Sequence, residues 1–179
     1  MKITVVGRGN VGGGLAELWR KAGHDVQELG KDGGDASDSD AVLVAVPSDA
    51  ISEALGKVSG LDGKVTIDAT NALGGRNDEH DSLAHEVKSI TGGPTAKAFN
   101  LNFAAAYDKV GEQSERPSMP WAGDDEARET TEQLIRDAGY EPAPAGDLDN
   151  ARKLEDALGF VFAVRQQQPG PVLYRFWTP

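Results

Sequence analysis

Three observations predict a doubly wound, mostly parallel α/β sheet. Residues 2–6, "KITVV", are short, β-branched and apolar, and run directly into a glycine-rich turn and an amphipathic stretch. Strand-like and helix-like segments then alternate, as they do in βαβ units. Residues 41–47, "AVLVAVP", are apolar throughout, as suits a strand covered on both faces. A chain of 179 residues with 39% hydrophobic content is long enough to bury one core, so residues 1–179 are expected to form a single domain.

Each element follows in order. After the strand at 2–6, Val11, Leu15, Leu18, Trp19 and Ala22 fall at helical spacing, and Gly23 stands where a helix would stop. "DVQEL" (25–29) is the second strand. Residues 30–40, "GKDGGDASDSD", carry no large apolar residue, so a crossover helix there would have nothing to pack on the sheet. The second crossover is therefore expected to be truncated to a loop, with one turn of helix at "SDSD". After the strand at 41–47, "SDAISEALGKVSG" reads as a helix capped by Ser48 or Asp49, and "KVTIDATN" as a strand. Residues 74–82, "GGRNDEHDS", read as a mobile loop. They are followed by a helix at "SLAHEVKSI", a strand at "TAKAF", a helix at "NFAAAYDKV" and a strand at "SMPWAG". "DDEARETTEQLIRDAG" is a long amphipathic helix capped by Asp124 or Asp125 and ended by Gly139. A short helical C-terminal extension, from about 148 to 179, carries apolar residues at Leu154, Leu158, Phe160, Val161, Phe162 and Val164. Its tail concentrates Tyr174, Phe176 and Trp177.

Composition excludes several functions. The net charge is −11, with 18 cations among 29 acids, which argues against binding a phosphate backbone and hence against a nucleic-acid partner. No apolar run is long enough to cross a bilayer, and the N-terminus lacks a signal-peptide pattern, so a cytoplasmic location is expected. Cysteine is absent, which removes disulfides, thiolate metal sites and cysteine nucleophiles. Redox chemistry would need a cofactor. No metal site is expected, because no pair of histidines or carboxylates has ligand spacing in a supporting context.

Gly7, Gly9 and Gly12 form G-x-G-x-x-G between a strand and a helix. There the glycines allow a tight turn, close approach of backbone to a pyrophosphate, and close helix packing. The N–H groups of residues 9–12 would meet phosphate at the positive end of the helix dipole. This is the context of a Rossmann-type dinucleotide site. Beyond the second strand, Lys31, with Arg8 in reach, favours the 2′-phosphate of NADP(H). Glu28 and Asp32 flank the same spot and leave NAD(H) open. Further strand ends, at Val46, Pro47 and Ser48, at Thr70 and Asn71, and at Asn100, would complete the crevice. Ser48, Thr70 and Asn100 could equally serve as helix caps.

On "GRGNVGGGLA", "AVLVAVP", "DATNAL", "KAFNLNFAAAY", "MPWAGDD" and "GDLDNARKLEDAL", the chain resembles the NADP-dependent oxidoreductases of the deazaflavin coenzyme F420. The pyrroline-5-carboxylate reductases share their nucleotide-binding domain. The resemblance runs along nearly the whole sequence. It implies hydride transfer between stacked nicotinamide and deazaflavin rings, and nucleotide contacts from Gly7, Arg8, Gly9, Asn10, Val11, Gly12, Lys31, Val46, Pro47 and Asn71. It also implies that Asn100, Leu101, Asn102 and Phe103 face the second cofactor or substrate, with the 174–177 tail as a wall. Asparagines stand at 100 and 102 where the coenzyme-specific members are expected to carry His and Thr.

Direct hydride transfer needs stacking, orientation and exclusion of water, and no nucleophile or metal. His24, His80 and His85 are accordingly read as structural or exposed, and catalytic residues remain unassigned. A reductase of another small acceptor (an imine, a flavin or a metal chelate) is the alternative; for an imine Tyr107 is the sole nameable proton donor. A non-catalytic dinucleotide sensor is the third reading. The wide apolar face of the 148–168 segment favours a homodimer.

Overall fold

The computed structural model describes residues 1–177. Seven strands form one sheet: β1 (Lys2–Val6), β2 (Asp25–Leu29), β4 (Ala41–Val44), β6 (Val65–Asp68), β7 (Thr95–Ala98), β8 (Ser118–Gly123) and β9 (Glu141–Pro144). Their spatial order is β2-β1-β4-β6-β7-β8-β9. All neighbours are parallel except β7 and β8, where Ala98 lies opposite Trp121 in an antiparallel pair. Two further strands, β3 (Gly34–Asp35) and β5 (Val58–Ser59), form a separate parallel pair. The α-helices are α1 (Asn10–Lys21), α2 (Ile51–Leu55), α3 (Leu83–Thr91), α4 (Arg128–Asp137), α5 (Ala151–Asp156) and α6 (Leu158–Gln166). The predicted doubly wound α/β fold is thus present. No helix among the described residues is long and apolar enough to cross a membrane.

The main core lies between the sheet and the layer of α1 and α4. Trp19 of α1 is fully buried, stacks edge-on with Phe99 at 5.7 Å, and donates its indole N–H to the Leu134 carbonyl of α4 at 2.9 Å. On the other face Val42, Val44, Ile51, Leu55, Leu83 and Val87 join the central strands to α2 and α3.

Four expectations change. Ser37–Asp40 form a turn with no helix, because the Asp35 carboxylate accepts from both the N–H and the hydroxyl of Ser37 and so offers the backbone another partner. Ser48 and Asp124 do not cap their helices. The Ser48 hydroxyl accepts from the Gly74 N–H at 3.2 Å, while the Asp124 carboxylate is occupied by the Lys88 ammonium and the Thr95 N–H. Ala104–Glu112 winds as a 3₁₀-helix, not an α-helix. β9 itself, with Pro142 and Pro144, had no counterpart in the sequence reading.

The C-terminal helical segment begins with a 3₁₀ turn at Leu148–Asn150 and passes through Ala157 from α5 to α6. Leu154, Leu158 and Val161 pack with Leu101 and Ala122. Past α6 the tail returns to the sheet: the Ser118 N–H donates to the Tyr174 carbonyl, and the Phe176 N–H to the Ser118 hydroxyl. The last two residues of the tail lie outside the described residues.

Candidate functional site

The crevice begins where β1 ends. Gly7 has φ +111°, and a Cβ there would strike the Ala45 carbonyl; a Cβ on Gly12 would strike the Gly7 carbonyl. These two glycines are demanded by the chain itself. Gly9 is different: a Cβ on it would meet nothing within 4 Å. It precedes the first turn of α1, which has neither a capping side chain among the described residues nor an acidic residue, so the first N–H groups lack a side-chain partner.

At the end of β2 the β1 register sets Glu28 opposite Val5 and Leu29 opposite Val6, so Gly30 and Lys31 are the first residues past the sheet. The Arg8 guanidinium lies against Gly30, leaving no room for a Cβ. Arg8 and Lys31 are exposed, and neither forms an ion pair among the described residues. Glu28 is already neutralised by Arg20 at 2.8 Å. Asp32, exposed and without an ion pair among the described residues, is thus the remaining acid at this strand end. Val46 packs beside Gly7, and Pro47, exposed, precedes the Ser48–Ala50 turn.

From the glycine turn the crevice continues into a small cleft of about 150 Å³, lined by Val11, Ala69, Asn71, Leu73, Phe99, Asn100, Leu101, Asn102, Phe103, Ala104, Leu158 and Phe162. The structure thus brings Val11 and Asn71 together with the whole 100–103 segment, and adds α6 as the far wall. Phe99 makes this possible. Its φ of +64°, left-handed and unusual for a bulky residue, turns the chain sharply off β7, so that residues 100–103 run along the cleft while the Phe99 ring stays in the core. The Asn71 side chain donates to the Asn100 carbonyl at 2.8 Å and accepts from the Asn100 amide at 3.0 Å. That amide also donates to the Leu154 carbonyl at 3.0 Å, leaving Asn100 Oδ1 buried without a partner. An unpaired buried acceptor is costly.

No titratable side chain lines the cleft. Tyr107, the sequence's one candidate proton donor, is not there: its ring packs against Gly14 of α1 inside the main core, and burial pushes its ionisation well above the usual phenol range. Its approach to Gly14 was invisible in the sequence. Tyr174 does come near, donating its hydroxyl to Asn102 Oδ1 at 2.8 Å, while Phe176 and Trp177 remain exposed. A larger polar cavity of about 400 Å³, lined by Lys2, Asp25, Gln27, Asp35, Asp38 and Ser39, lies at the opposite, amino ends of β1 and β2. Open α/β sheets bind ligands at the carboxyl ends, where the smaller cleft is.

Sequence reasoning also passed over Asp68, Lys97, Glu155 and Arg76, which form a buried ion-pair network behind the cleft. Charged residues inside apolar strand patterns, "VTID" and "TAKAF", were the available signal, since a buried charge needs a partner.

Comparison with known proteins follows the fold. No protein-family model matches the sequence, and no curated protein matches it. Among solved structures, the chain is similar to a candidate F420-dependent NADP reductase from Arthrobacter sp. FB24, with 19% identity and a TM-score of 0.83 over 99% of this chain and 100% of that one. It is similar to an imine reductase from Streptomyces aurantiacus, with 16% identity and a TM-score of 0.71, over 93% of this chain and 63% of that one. A reductive aminase from Aspergillus terreus, solved with NADPH and ethyl levulinate, matches with 15% identity and a TM-score of 0.69, over 93% and 62%. The chain spans less than two thirds of the last two proteins. At these identities the likeness establishes a shared Rossmann-type fold.

Proposed function

We propose that the protein is an NADP(H)-dependent oxidoreductase that transfers hydride between the nicotinamide and the deazaflavin coenzyme F420 or a similar planar acceptor. The observation that carries this reading is Gly9, a glycine the chain does not need for its own packing, standing at an uncapped helix start next to Arg8, which like Lys31 has no ion-pair partner among the described residues. The residues present fit the nucleotide. Gly7 and Gly12 hold the turn, and the N–H groups of Gly9, Asn10, Val11 and Gly12 would receive the pyrophosphate. Arg8 and Lys31 would take the 2′-phosphate. Of the two acids that would favour NAD(H), Glu28 is tied up by Arg20, while Asp32 stays exposed beside Lys31.

Bound there, the nucleotide would supply a transferable hydride at its nicotinamide. Val11, Val46, Pro47 and Asn71 would direct that end towards the cleft, and the Asn71–Asn100 pair would fix the floor. Leu101, Phe103, Leu158 and Phe162 would exclude water and offer apolar surface to a flat ring. A cleft without a titratable lining residue suits an acceptor that takes hydride into a conjugated ring more than an imine, which needs a proton from the protein. The fold neighbours named for NADP and for F420 support the same direction. Phe160, 73% exposed on α6, supports assembly as a homodimer.

The test mixes purified protein with NADPH and oxidised F420 and follows the loss of the coenzyme's visible absorbance, with Gly9→Asp as control. Bleaching that disappears in the control is expected. NADPH binding without turnover would favour another acceptor or a dinucleotide sensor, and no NADPH binding would overturn the reading.

A further inference from the structure

Behind the cleft lies a charge network that nucleotide binding does not use. Lys97 and Asp68 are cross-strand partners on β7 and β6, joined at 2.7 Å, and both side chains are 0% exposed. The Lys97 ammonium also donates to the Thr70 carbonyl at 2.6 Å and reaches Glu155 Oε1 at 3.2 Å. Glu155, on α5 and equally buried, accepts the Leu83 N–H on that same oxygen and takes Arg76 on the other, at 2.8–2.9 Å. Two carboxylates thus face two cations. Arg76 alone has appreciable exposure, at 18%, and leans outward to Asp156 at 3.4 Å.

We propose that Arg76 is a latch and that Arg76 and Glu155 are positioning residues, holding the outer wall of the cleft onto its floor through Lys97 and Asp68. The inference rests on reading the cleft as the acceptor site. Three parts of that cleft adjoin the network. Thr70, whose carbonyl Lys97 holds, precedes Asn71. Leu154, next to Glu155, accepts from Asn100, and Leu158 lines the far wall one turn later. Leu73, at the mouth and 75% exposed, is separated from Arg76 only by Gly74 and Gly75, the latter at φ +100°. Glycines give that short segment room to turn. The Gly74 N–H to the Ser48 hydroxyl and the packing of Ala72 hold its near end, and charge holds the Arg76 end. With Arg76 away, two buried carboxylates would share one ammonium, an uncompensated state that a dry interior strongly disfavours.

The test compares Arg76→Met, Arg76→Lys and the double variant Arg76→Met/Glu155→Gln with wild type. In unliganded protein, amide hydrogen exchange over residues 72–83 should quicken at least tenfold in Arg76→Met while β1 and α1 are unchanged. With NADPH and F420, the KM for F420 should rise at least tenfold with NADPH Kd within twofold, and Arg76→Lys should restore most of the loss. The double variant rebalances the buried charge, so its Tm should recover while exchange and KM remain altered. Recovery of all three together would reduce the network to a stabilising role and overturn the latch, as would unchanged exchange in Arg76→Met. If wild type shows no turnover, the acceptor reading fails, and the exchange comparison still decides the latch.

Discussion

Arg8 and Lys31 carry the nucleotide preference at the scale of single residues. Both are exposed at the end of β2, in an acidic protein, without an acidic partner among the described residues. A hydrogen bond to a charged group contributes about 1.5–3 kcal/mol. Arg8→Ala and Lys31→Ala should therefore each weaken NADPH binding by roughly 10- to 150-fold. NADH, which lacks the 2′-phosphate, should be nearly unaffected. Titration of the two nucleotides against each variant checks this, and equal losses for both would remove these residues from the phosphate site. The glycine turn was legible in the sequence because its three glycines sit at fixed offsets between a strand and a helix. The Arg8–Gly30 contact was only partly so, since it depends on where β2 stops. Lys97, Asp68 and Glu155 were illegible as a network, because β6, β7 and α5 are far apart in sequence and only the fold brings their charges together.

Among the elements, packing of the 3₁₀-helix against α1 depends on one missing side chain. A Cβ on Gly14 would lie 2.5 Å from the Tyr107 ring. Gly14→Val should overpack this contact at a cost of about 1–3 kcal/mol. That appears as a Tm lower by about 2–12 °C in a chain of this size. NADPH affinity should hold, because Gly14 lies beyond the phosphate turn; thermal unfolding and nucleotide titration of the same sample separate the two effects. β9 shows why an element can be missed. "EPAP" reads as a loop because prolines break ladders, yet the Glu141 N–H donates to the Pro117 carbonyl just before β8 at 2.9 Å, and the Ala145 N–H to the Trp121 carbonyl of β8 at 2.7 Å. Pro142 and Pro144 fall on alternate positions of this edge strand, whose nitrogens point away from the partner. The antiparallel turn from β7 to β8 was equally hidden, since strand polarity leaves no trace in hydrophobic pattern. The strands at 2–6 and 41–47 were easy by contrast, being buried on both faces.

Charge and apolar surface act together at the scale of the whole molecule. With a net charge of −11, two copies repel at long range. Residues 157–164, "ALGFVFAV", carry no charge, and Phe160 is 73% exposed on that segment, beside the Phe162 that lines the cleft. The sequence showed an apolar face too wide for a solvated helix; the fold shows that Leu158 and Val161 turn inward and Phe160 does not. A homodimer through this face would cover Phe160. Light scattering should then give a mass near twice 18.9 kDa. Because the opposing force is repulsion between like charges, added salt should tighten the dimer by screening it, the reverse of an interface held by ion pairs. Phe160→Asp puts a carboxylate in the apolar contact and should return the mass to 18.9 kDa at every salt concentration. A wild-type mass of 18.9 kDa throughout would leave the face exposed in solution and remove the homodimer.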